Sequence, residues 1–337
     1  MKYGMNSWTL SSMRPACIAL GACLALTLSP GLSQAASSPT QLTISYSQKV
    51  GDELPLWIAY EAGYFKKEGL DPKLIFLPSR EGIPALLSGQ VQIAAIGGSD
   101  GVSAAAQGAK LKYVATLSPV YTFQFWARPK FGSAAALKGQ RIGITTRSGS
   151  VYAATIASLK QLGLSISDVA TTPLGKVSNV DSALLAGSIV AAASHPPATY
   201  EFKRHGFVKL VDLAEKKIPA VNTGVATLTS YIQSHGDVVQ KVVDAIVEGL
   251  KREKTDRAYT EDIMRKYMGI TDKDILDFTY DFYAKNVAPA VPLTKADQLE
   301  AAQRALSAHN PKVKALNVAS LIDQSFVKKA MEQQGAK

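Results

Sequence analysis

The segment from Tyr46 to Asp100 most constrains the fold of this chain. Short apolar runs typical of strands alternate there with runs whose apolar residues recur at helical spacing, and Pro, Gly and Ser cluster where strands lead into helices. Strands that alternate with helices predict a mostly parallel sheet with helices on both faces. Because ligands bind open α/β sheets at such strand-to-helix turns, the segment predicts a binding site. No catalytic constellation accompanies it.

Similar α/β units recur along the chain, and a helical region follows them from residue 230 onward. The predicted strands are 42–45, 73–77, 91–96, 112–118, 121–127, 141–145, 189–193, 208–212 and 222–228. The aromatic strand at 121–127 joins the first group of units to the second. The simplest assembly is two α/β lobes joined by two extended crossovers, with the helical C-terminal tail packed on the first lobe.

The first 35 residues are predicted to be a secretory signal peptide. Lys2 and Arg14 supply positive charge, residues 16–28 form a short apolar run, and small residues at 33–35 suit a cleavage site. The apolar run is too short to span a membrane. In an alternative reading the segment ending at Cys23 resembles a lipobox, which would give the chain a lipid anchor there. Both readings predict export.

Composition excludes several classes of function. Both cysteines, Cys17 and Cys23, lie in the leader, so the processed chain has no disulfide, thiol nucleophile or thiolate metal ligand. The four histidines lack metal-ligand spacing, and we expect neither a metal nor a cofactor. The net charge is +10, but the basic residues are dispersed, which argues against binding to nucleic acid.

Four segments carry a resemblance to a known family: LPLWIAYEAGYFKKEGLDPKL at 54–74, ALLSGQVQIAAIG at 85–97, ALKGQRIGI at 136–144 and ASLKQLGLS at 157–165. The chain resembles the periplasmic solute-binding proteins of ABC importers in the nitrate, sulfonate and taurine class, a fold family that includes the thiamine-pyrimidine-synthesis-like proteins. The resemblance implies an α/β type II periplasmic-binding-protein fold with two lobes, two hinge crossovers and one ligand in the cleft. The expected division is a signal peptide at 1–35, a first lobe at 41–122 plus 224–337 and a second lobe at 123–223.

The same resemblance implies a function. The chain is expected to be the periplasmic substrate-binding component of an ABC importer, which binds a small anionic or zwitterionic solute of the sulfonate, nitrate or carboxylate type by hinge closure. Its expected partners are that solute and the importer's membrane permease and ATPase, and we expect a monomer.

Two alternatives stay open: an enzyme of the thiamine-pyrimidine-synthesis type, and a ligand-binding partner of a sensor. The enzymes of that type have an iron site and a Cys-rich motif, whereas the processed chain has no cysteine. The chain also lacks G-x-S-x-G, Walker and H-E-x-x-H motifs, so we predict no enzymatic activity.

Helix starts that follow strands supply the candidate ligand-binding groups, because their unpaired N–H groups and the helix dipole favour anions. The candidates are Gln48, Leu54, Gly97, Gly98, Ser99, Tyr121, Thr146, Ser148, Gly149, Ser150, His195, Asn222 and Thr223. Alternatively, the glycine turn at 97–99 only caps a helix, and His195 only packs or faces solvent. Asp52, Glu53 and Asp100 either cap helices or meet an ammonium group on a zwitterionic ligand.

Overall fold

The computed structural model describes residues 38–147, 149–307 and 310–335, except for the side chain of Arg80. The predicted signal peptide, the alternative lipid-anchor site at Cys23 and the candidate Ser148 therefore lie outside the described residues. The strands are β1 Thr40–Tyr46, β2 Leu70–Phe76, β3 Ile93–Ile96, β4 Leu111–Val120, β5 Gln124–Ala127, β6 Arg141–Ile144, β7 Ala170–Pro173, β8 Ala191–Ser194, β9 Val208–Asp212 and β10 Pro219–Leu228.

The helices fall into two groups, one between the strands and one after the last strand. The first group is α1 Leu54–Glu61, α2 Tyr64–Lys67, α3 Ser79–Leu87, α4 Gly98–Ala106, α5 Ala134–Leu137, α6 Ser150–Gln161, α7 Val177–Ala186 and α8 Ala198–Arg204. The second is α9 Thr229–Thr255, α10 Arg257–Met268, α11 Lys273–Tyr280, α12 Ala296–Ser307, α13 Pro311–Lys314 and α14 Ser325–Gly335. A 3-10 turn at Gly51–Glu53 precedes α1, and a π-helical segment at Asp281–Val287 follows α11.

The strands form two five-stranded sheets of matching topology. The first has the order β2-β1-β3-β10-β4, in which β1, β2 and β3 are parallel and β10 runs antiparallel to both neighbours. The second has the order β7-β6-β8-β5-β9, in which β5 takes the antiparallel place. We call the first sheet with its helices the first lobe and the second sheet with its helices the second lobe. The mixed α/β fold with a helical C-terminal region is thus confirmed.

The chain passes between the sheets twice, at residues 121–123 and again at residues 213–218. The first crossing is shorter than the predicted strand at 121–127, because pairing with the second sheet begins only at Gln124. The domain boundaries at 122/123 and 223/224 stay a prediction. Among the described residues, no helix is both long and apolar enough to cross a membrane.

Burial explains why the central strands were visible in the sequence. All four residues of β3 are buried, as are all four of β8, so both strands read as uninterrupted small and apolar runs. β7 was not predicted, because it lies at the edge of its sheet and its four residues are exposed or only half-buried. Such a strand carries no apolar pattern.

The C-terminal helices complete the core of the first lobe. Val242, Val243 and Ile246 of α9 are buried in one hydrophobic cluster with Leu54 and Trp57 of α1. One helix, α12, departs from the expected tail that packs on the first lobe alone, because it contacts both α4 of the first lobe and α6 of the second.

A close backbone approach fixes the pairing of α1 with α9. A Cβ atom added at Gly249 would lie 2.2 Å from the carbonyl oxygen of Pro55 and 3.1 Å from the backbone nitrogen of Ala59. The two helices can therefore pack at this distance only if residue 249 has no side chain.

We expect Gly249→Ala to lower the free energy of unfolding by about 1–3 kcal/mol, because the added methyl group forces α9 away from α1. Gly236→Ala is the matched control on the same helix, since a Cβ there meets nothing within 4 Å. Urea unfolding gives the free energy of unfolding of both variants. Equal stability of the two variants would show that the contact between α1 and α9 is not as tight as described.

A buried polar pair joins α7 to β8 in the second lobe. The Ser194 hydroxyl donates a hydrogen bond of 2.6 Å to the carboxyl group of Asp181. Burial raises the pKa of Asp181 to about 7, against the opposing effect of this hydrogen bond. The folded state therefore holds a proton that the unfolded chain, with an aspartate pKa of about 3.9, releases.

The stability that Asp181 contributes through this proton is present below about pH 4 and is lost as the pH rises towards 7. We expect its share of the unfolding free energy to fall by at most about 1.4 kcal/mol per pH unit in that window. Asp181→Asn removes the titration, so urea unfolding at several pH values between 4.5 and 7.5 should give a shallower dependence than in the unaltered protein. Identical slopes would contradict the raised pKa of this group.

Candidate functional site

Four strand-to-helix turns face one another at the carboxyl ends of parallel strands. In the first lobe, β1 leads through the 3-10 turn into α1, and β3 leads directly into α4. In the second lobe, β6 leads into α6, and β8 leads through His195 into α8. We call the region between the lobes that is bounded by these four turns and by the two crossings of the chain the cleft, and the crossings its base.

The two crossings lie side by side and are joined by backbone hydrogen bonds. The N–H group of Tyr121 donates to the carbonyl oxygen of Ile218 over 3.0 Å, and the N–H group of Leu213 donates to that of Phe123 over 3.0 Å. The crossings therefore behave as a short two-stranded ribbon between the sheets.

The lobes touch on both sides of the cleft. A Cβ atom added at Gly97 of the first lobe would lie 2.2 Å from the Ser150 hydroxyl of the second lobe. On the other side, the Tyr283 hydroxyl donates a hydrogen bond of 3.2 Å to the carbonyl oxygen of Pro196. The rings of Tyr200 and Phe278 also meet there, with their centroids 5.4 Å apart. The structure is thus a closed arrangement of the lobes.

A buried hydrogen-bond network joins Asp52 to the first crossing and to β10, the strand that follows the second crossing. Oδ2 of Asp52 accepts hydrogen bonds of 3.0 Å from the Thr122 hydroxyl and 3.0 Å from Nδ2 of Asn222. Nδ2 of Asn222 also donates to the Thr122 hydroxyl over 2.7 Å. All three side chains are at most 1% exposed. Asp52 is therefore fixed in place by one residue of the first crossing and by one residue of β10.

Several buried polar atoms around this network have no hydrogen-bond partner among the described residues. They are both ring nitrogens of His195, Oδ1 of Asp52, Oε2 of Glu53, Oδ1 of Asn222 and the hydroxyls of Thr199 and Thr223. Unsatisfied buried polar groups are rare in native proteins, and each costs about 1–3 kcal/mol. A cluster of them contributed by both lobes is typical of a site that a ligand completes.

Burial also shifts the pKa values of the ionisable groups in the cleft. It lowers the pKa of His195 to about 4, and the nearby carbonyl groups of His195 and Pro196 oppose the shift without reaching hydrogen-bond geometry. It raises the pKa of Asp52 to about 6, against the opposing effects of the nearby Ser118 hydroxyl, which does not reach hydrogen-bond geometry, and of the hydrogen bonds from Thr122 and Asn222. At pH 7, His195 is therefore neutral and Asp52 is mostly ionised.

The pKa values of the other acidic side chains of the cleft are raised as well. Burial raises the pKa of Asp100 to about 6, and a hydrogen bond from Ser79 opposes the rise. Burial and the charge of Asp52 raise the pKa of Glu53, whose Oε1 accepts a hydrogen bond of 3.2 Å from the Ser47 N–H group. In the part of the chain that the structure describes, no lysine or arginine side chain is buried. The acids are therefore not balanced by a buried cation among these side chains.

The structure brings many of the predicted site residues to the cleft. Gly97, Gly98 and Ser99 form the start of α4, while Gly149 and Ser150 form the start of α6, with Thr146 in the loop before it. Tyr121 is buried beside Ser99, and burial raises its pKa to about 12 against the effects of Ser99 and Arg304. His195, Asn222 and Thr223 are buried.

Two predicted site residues differ from this group. The side chain of Leu54 is buried in the hydrophobic core of the first lobe. Gln48 is half-buried in the loop after β1, where its backbone N–H group interacts with the carboxyl group of Glu53. Whether any of the predicted residues contacts a ligand stays a prediction.

Sequence reasoning did not find Thr122 or Tyr283. Thr122 is the polar residue inside the apolar run Tyr121–Phe123, and this position was the available signal. Tyr283 gave no signal, because it reaches Pro196 from the C-terminal region across 87 residues of sequence. Among the described residues, no group of three or more His, Asp or Glu has the arrangement of a metal site.

Comparisons with known proteins give the family and the fold. A family model described as NMT1/THI5 like matches residues 51–254, which is more than half of the chain. No curated protein matches the sequence closely enough to count as a relative. Many solved structures match, and three of them illustrate the range of proteins that share the fold.

The alkanesulfonate-binding protein SsuA from Xanthomonas axonopodis pv. citri, bound to MOPS, has a TM-score of 0.70 and 21% identity, covering 86% of this chain and 100% of that one. A ligand-binding component of an ABC-type import system from Staphylococcus aureus, with zinc bound, has a TM-score of 0.70 and 15% identity, covering 86% and 99%. The desulfurization enzyme DSZB has a TM-score of 0.62 and 17% identity, covering 87% and 99%.

At such identities the solved structures show the fold alone. That fold is the one that the sequence resemblance implied, with two lobes of the periplasmic-binding type around a cleft. The match to the family model begins at residue 51, within the first of the four cleft turns, and includes the other three turns completely. The chain belongs to the NMT1/THI5-like family, in agreement with its resemblance to periplasmic solute-binding proteins of the nitrate, sulfonate and taurine class.

Proposed function

We propose that this protein is the substrate-binding component of an ABC importer and works in the periplasm. It binds a small anionic or zwitterionic solute, of the sulfonate, nitrate or carboxylate type, in the cleft between its lobes. The observation that supports the proposal is the cluster of buried polar atoms without partners, which both lobes contribute around the base of the cleft. A solute placed among them supplies the missing hydrogen bonds.

Hinge closure follows from the same geometry. A solute that touches both lobes makes contacts in the closed form that it cannot make in the open form, and this difference shifts the population towards the closed form. The ribbon formed by the two crossings is the short connection about which the lobes turn. The closed form then docks on the permease, and the ATPase of the importer drives release and transport.

The starts of α4 and α6 are well suited to an acidic group. Both helices begin at the cleft, with Gly97 and Gly149 as their N-cap residues, so their first N–H groups point towards it. Ser99 and Ser150 add hydroxyl donors at the same places. A sulfonate, nitrate or carboxylate accepts hydrogen bonds from such groups and interacts favourably with the helix dipoles.

An enzyme is the second candidate, because a desulfurization enzyme shares the fold. The chemistry of the cleft favours binding. The chain has no cysteine after Cys23 to serve as a thiol nucleophile. Burial lowers the pKa of His195 to about 4, which is far below the range near neutral pH that suits a general base. Neither ring nitrogen of His195 is hydrogen-bonded, among the described residues, to a hydroxyl group that it could activate as a nucleophile. A sensor partner in place of a permease would use the same cleft.

A thermal-shift screen tests the binding proposal directly. The purified processed chain is heated with nitrate, aliphatic and aromatic sulfonates, carboxylates and amino acids. A compound at about 100 times its Kd stabilises the folded state by about 2.7 kcal/mol, which raises the melting temperature by several degrees. Calorimetry then gives the affinity, and a turnover assay on each hit should stay blank. Turnover of a hit would favour the enzyme.

Gly97→Ala tests closure. The added methyl group would lie 2.2 Å from the Ser150 hydroxyl of the second lobe, a collision that separation of the lobes removes, and 3.0 Å from Oδ2 of Asp100 in its own lobe. An overpacking cost of about 1–3 kcal/mol in the closed form should weaken binding of the best compound from the screen by about 5- to 150-fold. Gly82→Ala is the control, since a Cβ there makes contacts no closer than 3.4 Å. Unaltered affinity in Gly97→Ala, measured by calorimetry, would show that the solute does not require the contact between these lobes.

A further inference from the structure

The base of the cleft contains a carboxylate with one oxygen fully used and one oxygen unused. Oδ2 of Asp52 accepts two hydrogen bonds of 3.0 Å, from Thr122 and Asn222, whereas Oδ1 has no partner among the described residues. Asp52 is 1% exposed, so water does not solvate Oδ1 freely. A buried carboxylate oxygen in this state needs a hydrogen-bond donor, and a positively charged donor satisfies it best.

A second acceptor lies beside it. The Nδ2 group of Asn222 donates to Asp52 and to Thr122, so the amide has no further donor to offer to a ligand at this point. Its Oδ1 is buried and has no partner in the described part of the chain. The hydrogen bond between Asp52 and Asn222 holds their groups together, so the two unused oxygens belong to neighbouring groups. Both can only accept.

Asn222 lies at the edge of the first lobe where α4 begins. The backbone oxygen of Asn222 would lie 3.4 Å from a Cβ atom on Gly97, which places Asn222 next to the start of α4. His195 of the second lobe packs on the first crossing, because its ring lies 5.2 Å from that of Phe123. The neutral His195 ring adds one donor and one acceptor nitrogen, neither of which has a partner among the residues described.

The charge balance at the base of the cleft also points to a cation. Burial raises the pKa of both Glu53 and Glu253, and Asp52 lies close enough to both for its charge to add to the rise. None of the buried side chains in the described ranges is a lysine or arginine that would offset this negative charge. A solute with only an acidic group would place a further negative charge near Asp52, whereas an ammonium group offsets the charge that is already there.

We infer that the solute carries a protonated amine, which binds Oδ1 of Asp52 and Oδ1 of Asn222 at the base of the cleft. This inference rests on the proposed function and narrows it from anionic or zwitterionic solutes to the zwitterionic ones. The acidic group of the same solute lies towards the starts of α4 and α6, where donors are available. An ammonium group has three N–H donors, so two can serve these oxygens and one remains for an acceptor nitrogen of His195.

Pairs of compounds that differ only in the amine test the inference on the unaltered protein. Suitable pairs are taurine with ethanesulfonate, β-alanine with propionate, and 4-(aminomethyl)benzoate with 4-methylbenzoate. In any pair that fits the cleft, we expect the amine to bind about 100-fold more tightly or better, because its absence leaves a buried carboxylate oxygen unpaired. Thermal shift and calorimetry measure the ratio, and no variant is required.

The outcomes separate this inference from the proposed function. If the amine-free compounds raise the melting temperature as much as the amines or more, the inference is contradicted, but the proposed binding function is not. No shift with any compound of these pairs or of the broader screen contradicts both. A preference for the amine in every pair that binds supports both.

Asp52→Asn then locates the amine. The variant keeps the shape of the side chain and removes its charge, and we expect it to reduce the affinity for the amine by about 100-fold while changing that for the amine-free partner little. Glu253→Gln is the matched control, because Glu253 is also a buried carboxyl group of the first lobe but is hydrogen-bonded to neither crossing. An unchanged ratio in Asp52→Asn, or an equal loss in Glu253→Gln, would overturn the assignment to Asp52.

Discussion

The backbone pairing of the two crossings is the constraint on which the rest of the structure depends. Two hydrogen bonds of 3.0 Å, from Tyr121 to Ile218 and from Leu213 to Phe123, hold the outgoing and returning chains side by side. Because each crossing continues into an antiparallel strand of the next sheet, the pairing fixes how the carboxyl ends of the parallel strands in one lobe face those in the other. Four helix starts that are far apart in sequence therefore share one cleft.

The cleft departs from the rule that buried polar groups find partners within the protein. Most of the fold obeys it: Ser194 satisfies Asp181, and Thr116 and Thr294 bond to each other over 2.8 Å. Some exceptions are scattered through the described residues, such as Nε1 of Trp57 and the Ser158 hydroxyl. Several others belong to Asp52 and its neighbours, where the network with Thr122 and Asn222 uses some atoms and leaves others unpaired. Departures of this kind are expected at functional sites, because a ligand supplies the missing partners.

The sequence was informative where structure is local. Apolar runs ending in glycine or serine predicted the parallel strands and the starts of α4 and α6, because burial and helix capping act over a few residues. The edge strand β7 escaped prediction, since it is largely exposed and has no apolar pattern. The Asp52 network escaped it for another reason. Its partners lie 70 and 170 residues away in the chain, and no local pattern encodes that meeting.

The position of α12 has a consequence for how tightly any solute is held. Leu299 and Ala302 of this helix belong to a hydrophobic cluster that also contains Ile144 and Tyr152 of the second lobe. Ala301 and Ala305 pack against the second-lobe core. Part of the closed form is thus stabilised by apolar contacts that no solute touches.

The measured affinity of a protein that must close equals its intrinsic affinity scaled by the fraction of molecules already closed. The contact face of α12 sets that fraction from outside the cleft. Two family members with identical cleft residues but different residues on this face would therefore bind the same nutrient with different affinities. Each would be suited to a different concentration of that nutrient.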